Sequence, residues 1–276
     1  MPNTLKNSPG PNALNKQAIP EPLFSRFGVV ALIIGIVIAF FASQLVGIYL
    51  AGKLVLANSK SLTIGDIFYI GSSDGTIVSL SIIVSLLILS LLSVAIISIK
   101  GGNSRHYLAL KPFSLALGIA MFGVLLLFMI ASQALTYWLN KAPSDFVEPL
   151  YQSVSSVWLL VFAIVIVAPI YEELIFRGLL WRAISEQFAG QVLEQSSTSP
   201  KKQLIKFWGA IIASIVTSLI FAMIHLQYGL YEISTIVVLA LVFCYARYKS
   251  GSLLLPILLH IINNGAAMWL YLSDKL

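Results

Sequence analysis

Polar side chains that can do chemistry are scarce in the apolar stretches of this chain. Most of them fall in three short strings. The first is Tyr171-Glu172-Glu173-Leu174-Ile175-Phe176-Arg177-Gly178, the second Phe221-Ala222-Met223-Ile224-His225, the third His260-Ile261-Ile262-Asn263-Asn264. On a helix Glu173 and Arg177, four apart, share a face and can pair. Glu172 points about a quarter-turn away and has no partner in its own helix. A lone carboxylate in the middle of a bilayer costs roughly 2.5–3.5 kcal/mol on insertion scales, so it needs a partner, a wet cavity or a proton. His225 and His260 are the candidates. His260 and Asn264 share a face, as do Phe221 and His225, so the Phe221 ring can pack on the imidazole and hold its rotamer.

Burial disfavours the charged form of a carboxylate and of an imidazole alike, which lets the two share one proton near neutral pH. Such a pair suits a general base that takes a proton from water. A second histidine with an amide donor can receive the oxyanion of a tetrahedral intermediate. Together these are parts for amide hydrolysis inside a membrane. Each also has a structural reading when taken singly. Glu173 and Arg177 form an ion pair, Glu172 is an interfacial carboxylate near a helix end, and His225, His260 and Asn264 join helices by hydrogen bonds. Their joint occurrence favours the chemical reading.

The elements that position these residues follow from composition. Of 276 residues 58% are hydrophobic and 10% charged, against roughly 25% charged in soluble proteins. Mean hydropathy is +0.92. A soluble globular domain, a disordered chain and a disulfide scaffold are excluded, the last because Cys244 is the sole cysteine. Cys244 lies in an apolar run and reads as an inert buried thiol. Apolar runs long enough to span recur near 27–51, 76–99, 113–139, 156–181, 207–227, 231–248 and 252–272. The expectation is an all-α polytopic membrane helix bundle of about seven transmembrane helices, since lipid requires every backbone group to be satisfied internally. Pro169 should break the backbone ladder of the long fourth run.

Counted on alternate sides of seven spans, 13 Lys and Arg fall on the amino-terminal side. Four (Lys53, Lys60, Lys141, Lys275) fall on the other. The amino terminus is therefore expected in the cytoplasm. The net charge of +6 is read as contact with anionic lipid rather than nucleic acid. Residues 1–26 read as a flexible cytoplasmic tail and not a signal peptide, and 182–206 as a surface loop. His106 sits in a basic loop and reads as solvated. Trp158, Trp181, Trp208 and Trp269 read as interface anchors. One conflict arises: simple topology puts Glu172 toward the inner side and His225 at the outer end of the fifth span. The two meet only if the fifth helix starts well outside the bilayer, or if Pro169 and the long fourth helix shift the depth.

The pattern Glu-Glu-x-x-x-Arg, Phe-x-x-x-His and His-x-x-x-Asn on successive apolar helices resembles the CPBP family, the CAAX protease and bacteriocin-processing proteins also called Abi. Glu172, Glu173 and Arg177, then Phe221 and His225, then His260 and Asn264 match its motifs in order and spacing. The resemblance covers about 155–270. Tyr107-Leu108-Ala109-Leu110-Lys111-Pro112 is a weaker echo of the segment that opens the family's core, and residues 1–100 carry no family signal. The chain thus divides into the tail 1–26, amino-terminal helices 27–110 and a core membrane domain 111–276. The resemblance implies an intramembrane endopeptidase, which in eukaryotic relatives removes the last three residues of prenylated CAAX proteins. It implies that Glu172 with His225 activates water and that His260 with Asn264 forms the oxyanion site. Glu173, Arg177 and Phe221 shape the site.

The family has often been described as metal-dependent. No His-Glu-x-x-His signature is present, yet Glu172, His225 and His260 are admissible zinc ligands. Metal-free water activation is preferred, with a divalent metal such as zinc left open. The expected partners are the lipid bilayer and a peptide or membrane-protein substrate. In a bacterium that substrate is a leader peptide or a membrane-protein segment, and the location is the inner membrane. Two other readings stand beside the protease: a non-catalytic immunity or scaffold protein of the same fold, and a proton-coupled transporter. The lack of internal repeats weighs against the transporter.

Overall fold

Ser25 starts the first helix by accepting a hydrogen bond from Gly28 N at 3.1 Å, which satisfies one of the free amides of the first turn. The computed structural model describes residues 22–58, 62–141, 147–189, 200–225 and 227–275. No strand occurs among them. The helices are α1 (Arg26–Val55), α2 (Ile64–Gly71), α3 (Gly75–Ile99), α4 (Ser104–Tyr107), α5 (Leu115–Trp138) and α6 (Val147–Ser153). They continue with α7 (Val157–Phe188), α8 (Pro200–Met223), α9 (Leu230–Ser250) and α10 (Leu254–Ser273). Seven of them, α1, α3, α5, α7, α8, α9 and α10, are long and apolar enough to cross a membrane. The protein is an all-α, integral multi-pass membrane bundle. Most of the expected tail 1–26 lies outside the described residues.

In lipid an apolar stripe cannot mark the packed face, because the opposite face is apolar too. Small residues mark it instead. On α1 the buried positions include Val29, Leu32, Ile36, Phe40, Ser43, Gly47 and Ala51, three or four apart, with Gly52 next to the last. On α3 they include Ile77, Ser81, Ser85, Leu89, Ser93 and Ile97, every fourth residue, with Gly75 and Ser79 beside them at the start of the helix. The hydroxyls of Ser43, Ser81 and Ser93 donate to the carbonyls of Phe40, Val78 and Leu89 at 2.7–2.8 Å and so are satisfied within their own helices, whereas the Ser85 hydroxyl on the same face is buried without a partner. At Gly47 a Cβ would stand 2.8 Å from Ser81 Cα and O. Only glycine permits that crossing.

The helix pair α7 and α8 resolves the conflict of depth. Helix α7 runs past the apolar stretch to Phe188, and α8 begins at Pro200. The expected loop 182–206 therefore shrinks from both ends, and its middle, 190–199, lies outside the described residues. Polar helical turns extend here because Arg182 pairs with Glu186 one turn on, at 2.6 Å. The two helices run antiparallel and approach closely where a Cβ on Gly209 would come within 3.0 Å of Ser185 O. Trp181 Nε1 donates to Ser214 Oγ at 3.0 Å in the same register. From the Ser185–Gly209 contact Glu172 lies 13 residues back on α7 and Ala222 13 residues on along α8, so the rise per residue brings the two level. Trp181 is thus no interface anchor. It is 8% exposed, held in the core by this pairing, whereas Trp158, Trp208 and Trp269 are exposed toward the surroundings. Cys244 is buried, as expected.

Candidate active site

Pro169 shapes the first wall of the site. Around it α7 changes register to π-helical turns over Phe162–Val167 and again over Leu174–Leu180. In the first, Ala168 N bonds to Ala163 O, five residues back. In that register the carbonyl of Ile164 would take its bond from residue 169, which is proline and has no N–H. Asn264 Nδ2 of α10 supplies the missing donor, at 3.1 Å. π-turns of this kind widen a helix locally and gather at functional sites. This one brings α10 onto α7 beside Glu172 and Glu173.

The end of α8 makes the second wall. His225 N bonds to Ala222 O, three residues back, instead of Phe221 O. The imidazole takes over the abandoned carbonyl: His225 Nδ1 lies 2.7 Å from Phe221 O. A carbonyl only accepts, so Nδ1 carries the proton, and neutral His225 keeps its lone pair on Nε2. The Phe221 ring lies 4.7 Å from the imidazole, as the spacing predicts. On the other side Tyr228 stacks at 6.2 Å. Burial, with help from the Glu172 carboxylate, holds the Tyr228 phenol above its ordinary range.

Between these walls the charged groups converge. Glu173 Oε1 accepts from Arg177 Nη1 at 2.9 Å and from His260 Nδ1 at 2.9 Å. Glu173 and Arg177 are fully buried and His260 is 4% exposed. Arg177 Nη2 donates to Ala240 O at 3.2 Å, and the guanidinium lies 4.6 Å from the centre of the Phe221 ring. His260 stacks on Phe243 of α9 at 4.8 Å. Its Nε2 faces Glu172 Oε2 at 3.7 Å. Glu172 is 8% exposed and within electrostatic reach of both His260 and His225.

All seven residues singled out in the sequence therefore gather around one site, with contacts between helices in addition to those that spacing within one helix gives. His260 is tied to Glu173 and faces Glu172, and Asn264 braces α7. Glu173 Oε2 and Arg177 Nε stay buried without a partner. Phe243 and the Ala240 carbonyl are parts that sequence reasoning missed. A phenylalanine and an alanine in an apolar run give no signal beyond sharing a helix face with Arg247.

A catalytic zinc keeps three protein ligands. Glu172 and His260 Nε2 offer two. Among the described residues no group of three His, Cys, Asp or Glu side chains converges on a metal position. His225 does not complete the set, and the arrangement does not fit the three-ligand zinc site admitted from sequence.

Fold and site together define an integral membrane protein with a hydrogen-bonded cluster of ionisable side chains enclosed among its helices. Residues 154–266, less than half of the chain, match the family described as Type II CAAX prenyl endopeptidase Rce1-like, in agreement with the resemblance to the CPBP family carried by the three motifs. The chain is also similar to an uncharacterized 24.3 kDa protein of Escherichia coli. The two are 30% identical over 111 residues, 40% of this chain and 43% of that protein. The matched region is thus less than half the length of the curated relative. No solved structure matches the chain.

Proposed function

We propose that the protein is an intramembrane endopeptidase of the CAAX-protease type, hydrolysing a peptide bond near or within the membrane with water activated by Glu172 and His225. The observation that carries this reading is His260. Its Nδ1 is locked by Glu173 and its Nε2 faces Glu172 at 3.7 Å, with His225 within electrostatic reach of the same Glu172 carboxylate. Water gives its proton to Glu172 or to His225 Nε2 as its oxygen attacks the carbonyl carbon. The oxyanion is received by protonated His260 Nε2, whose charge Glu173 stabilises. Asn264 has a second amide hydrogen free of the Ile164 carbonyl and joins it. When the C–N bond breaks, the proton taken from water passes to the leaving amine. Arg177 balances Glu173, so the cluster is near neutral overall. Substrates are peptides or membrane-protein segments that enter from the bilayer.

Glu172→Gln and His225→Ala test this. Each should lower turnover by about 10³-fold or more, the scale of losing an essential catalytic group, while the protein remains folded in membranes. Membrane proteomics reads the result: a Glu172→Gln strain should accumulate the same uncleaved proteins as a deletion strain. A Glu172→Gln protein that restores the wild-type pattern would identify a non-catalytic protein of the same fold. Proton flux in vesicles with no peptide products would identify a transporter.

A further inference from the structure

A separate cavity opens where α4, α7 and α9 end, on the side of the bundle that carries most of the Lys and Arg. Its volume is about 570 Å³, and Arg105, Lys111, Trp181, Arg182, Glu186 and Arg247 are among its lining residues. Arg182 and Glu186 neutralise each other at 2.6 Å. Arg182 Nη1 also donates to the carbonyls of His106 and Tyr107, at 2.7 Å each. That pair is structural and tethers α4 to α7.

The other three cations are different. Arg105, Lys111 and Arg247 form no salt bridge among the described residues. Arg105 and Lys111 are exposed at the rim, Lys111 Nζ hanging over Gly251. Arg247 is only 5% exposed. Its Nε donates to Arg177 O at 3.2 Å, and its guanidinium lies 5.3 Å from the centre of the Trp181 ring. Its two Nη groups make no hydrogen bond among the described residues. Burying a cation without its counter-ion is costly, and the cavity it lines holds no free carboxylate among those residues.

The geometry points to a phosphate-binding site here, occupied by the head group of an anionic phospholipid. A guanidinium fork matches two phosphate oxygens, and a flexible lysine adds a point charge to a third. Head groups lie at this level, where α7 and α9 leave the apolar layer, and basic pockets between helix ends hold such lipids. The site is distinct from the Glu172–His260 cluster and does not depend on the proposed activity.

Native mass spectrometry of the full-length protein tests it, using protein released from nanodiscs of equal parts phosphatidylcholine and phosphatidylglycerol. The wild type should retain phosphatidylglycerol with roughly tenfold preference, on the scale of a charge-assisted contact. Arg105→Ala/Lys111→Ala, both at exposed positions, should bring the preference close to parity, and Arg247→Met should do the same. Lys249→Ala, equally basic and exposed but outside the cavity, should leave it unchanged. A parallel arm measures thermal stability in phosphatidylcholine discs with added inorganic phosphate. Stabilisation by phosphate that matches that by phosphatidylglycerol overturns the lipid assignment and gives the site to a soluble phosphate. Equal retention of both lipids by the wild type, or full preference in the Arg105→Ala/Lys111→Ala protein, overturns the site.

Discussion

Arg177 holds four elements together with one side chain. It pairs with Glu173 on its own helix, donates to the α9 backbone at Ala240, and lies against Phe221 of α8 and Phe243 of α9. Through Glu173 it also reaches His260 on α10. Removing it leaves a buried carboxylate with no cation but the imidazole. Arg177→Leu should therefore destabilise the protein by about 3–5 kcal/mol, as breaking a buried ion pair does. Glu173→Gln added to it should restore part of that loss, since the uncompensated charge is gone. Unfolding in detergent checks both. If the double variant is no more stable than the single one, the pair is not what holds the helices. At this scale the readable contacts were local ones. Glu173–Arg177 and Phe221–His225 are each four apart, and helical geometry alone brings them together. The partners on other helices, such as Phe243 under His260, required knowing which face of α9 turns inward. In a uniformly apolar run nothing local says so.

At the level of elements, two breaks in regular helix build the site: the π-turns around Pro169, and the end of α8 where His225 replaces its own backbone amide. The sequence marked Pro169 as a disruption. It did not reveal that Asn264 would fill the bond that proline leaves open, since 95 residues separate the two. A third tie lies far from the site, between α6 and the end of α10. Glu148 accepts from Lys275 Nζ at 2.7 Å, Tyr271 Oη at 2.6 Å and Gln152 Nε2 at 2.7 Å. These donors, Lys275 foremost, pull its carboxyl from an ordinary 4.5 down to about 2. A depressed carboxyl stabilises the fold fully above its ordinary pKa and loses that contribution as pH falls through about 2. Hydrogen exchange over 268–275 should thus report the same protection at pH 7 and pH 5. Glu148→Gln should raise exchange at both values. Loosening of the wild type between those two pH values would show that the carboxylate is not held this way.

For the whole molecule, the separation of charge between the two ends predicts orientation. Gln203, at the start of α8, and Ser72, after α2, are exposed at opposite ends of the bundle. A Gln203→Cys protein should react with impermeant thiol reagents only from the cytoplasmic side, and Ser72→Cys only from the other. Cys244 is buried and should stay silent. The reverse pattern would invert the topology and move the basic cavity to the outer face. Composition and run length were enough to determine that the chain is a helical membrane bundle of seven spans. Lipid tolerates no other way of satisfying the backbone, and a span needs a fixed number of apolar residues. The identity of the polar residues was equally plain, because charge is too costly in lipid to be scattered. Only the tertiary structure decided their grouping and depth: that α7 and α8 extend far enough to bring Glu172 level with the end of α8, that His260 bonds Glu173, and that Trp181 is core. Those outcomes depend on helix register and rotation, and contacts between distant small and aromatic residues set both where the hydrophobic pattern is the same on every face.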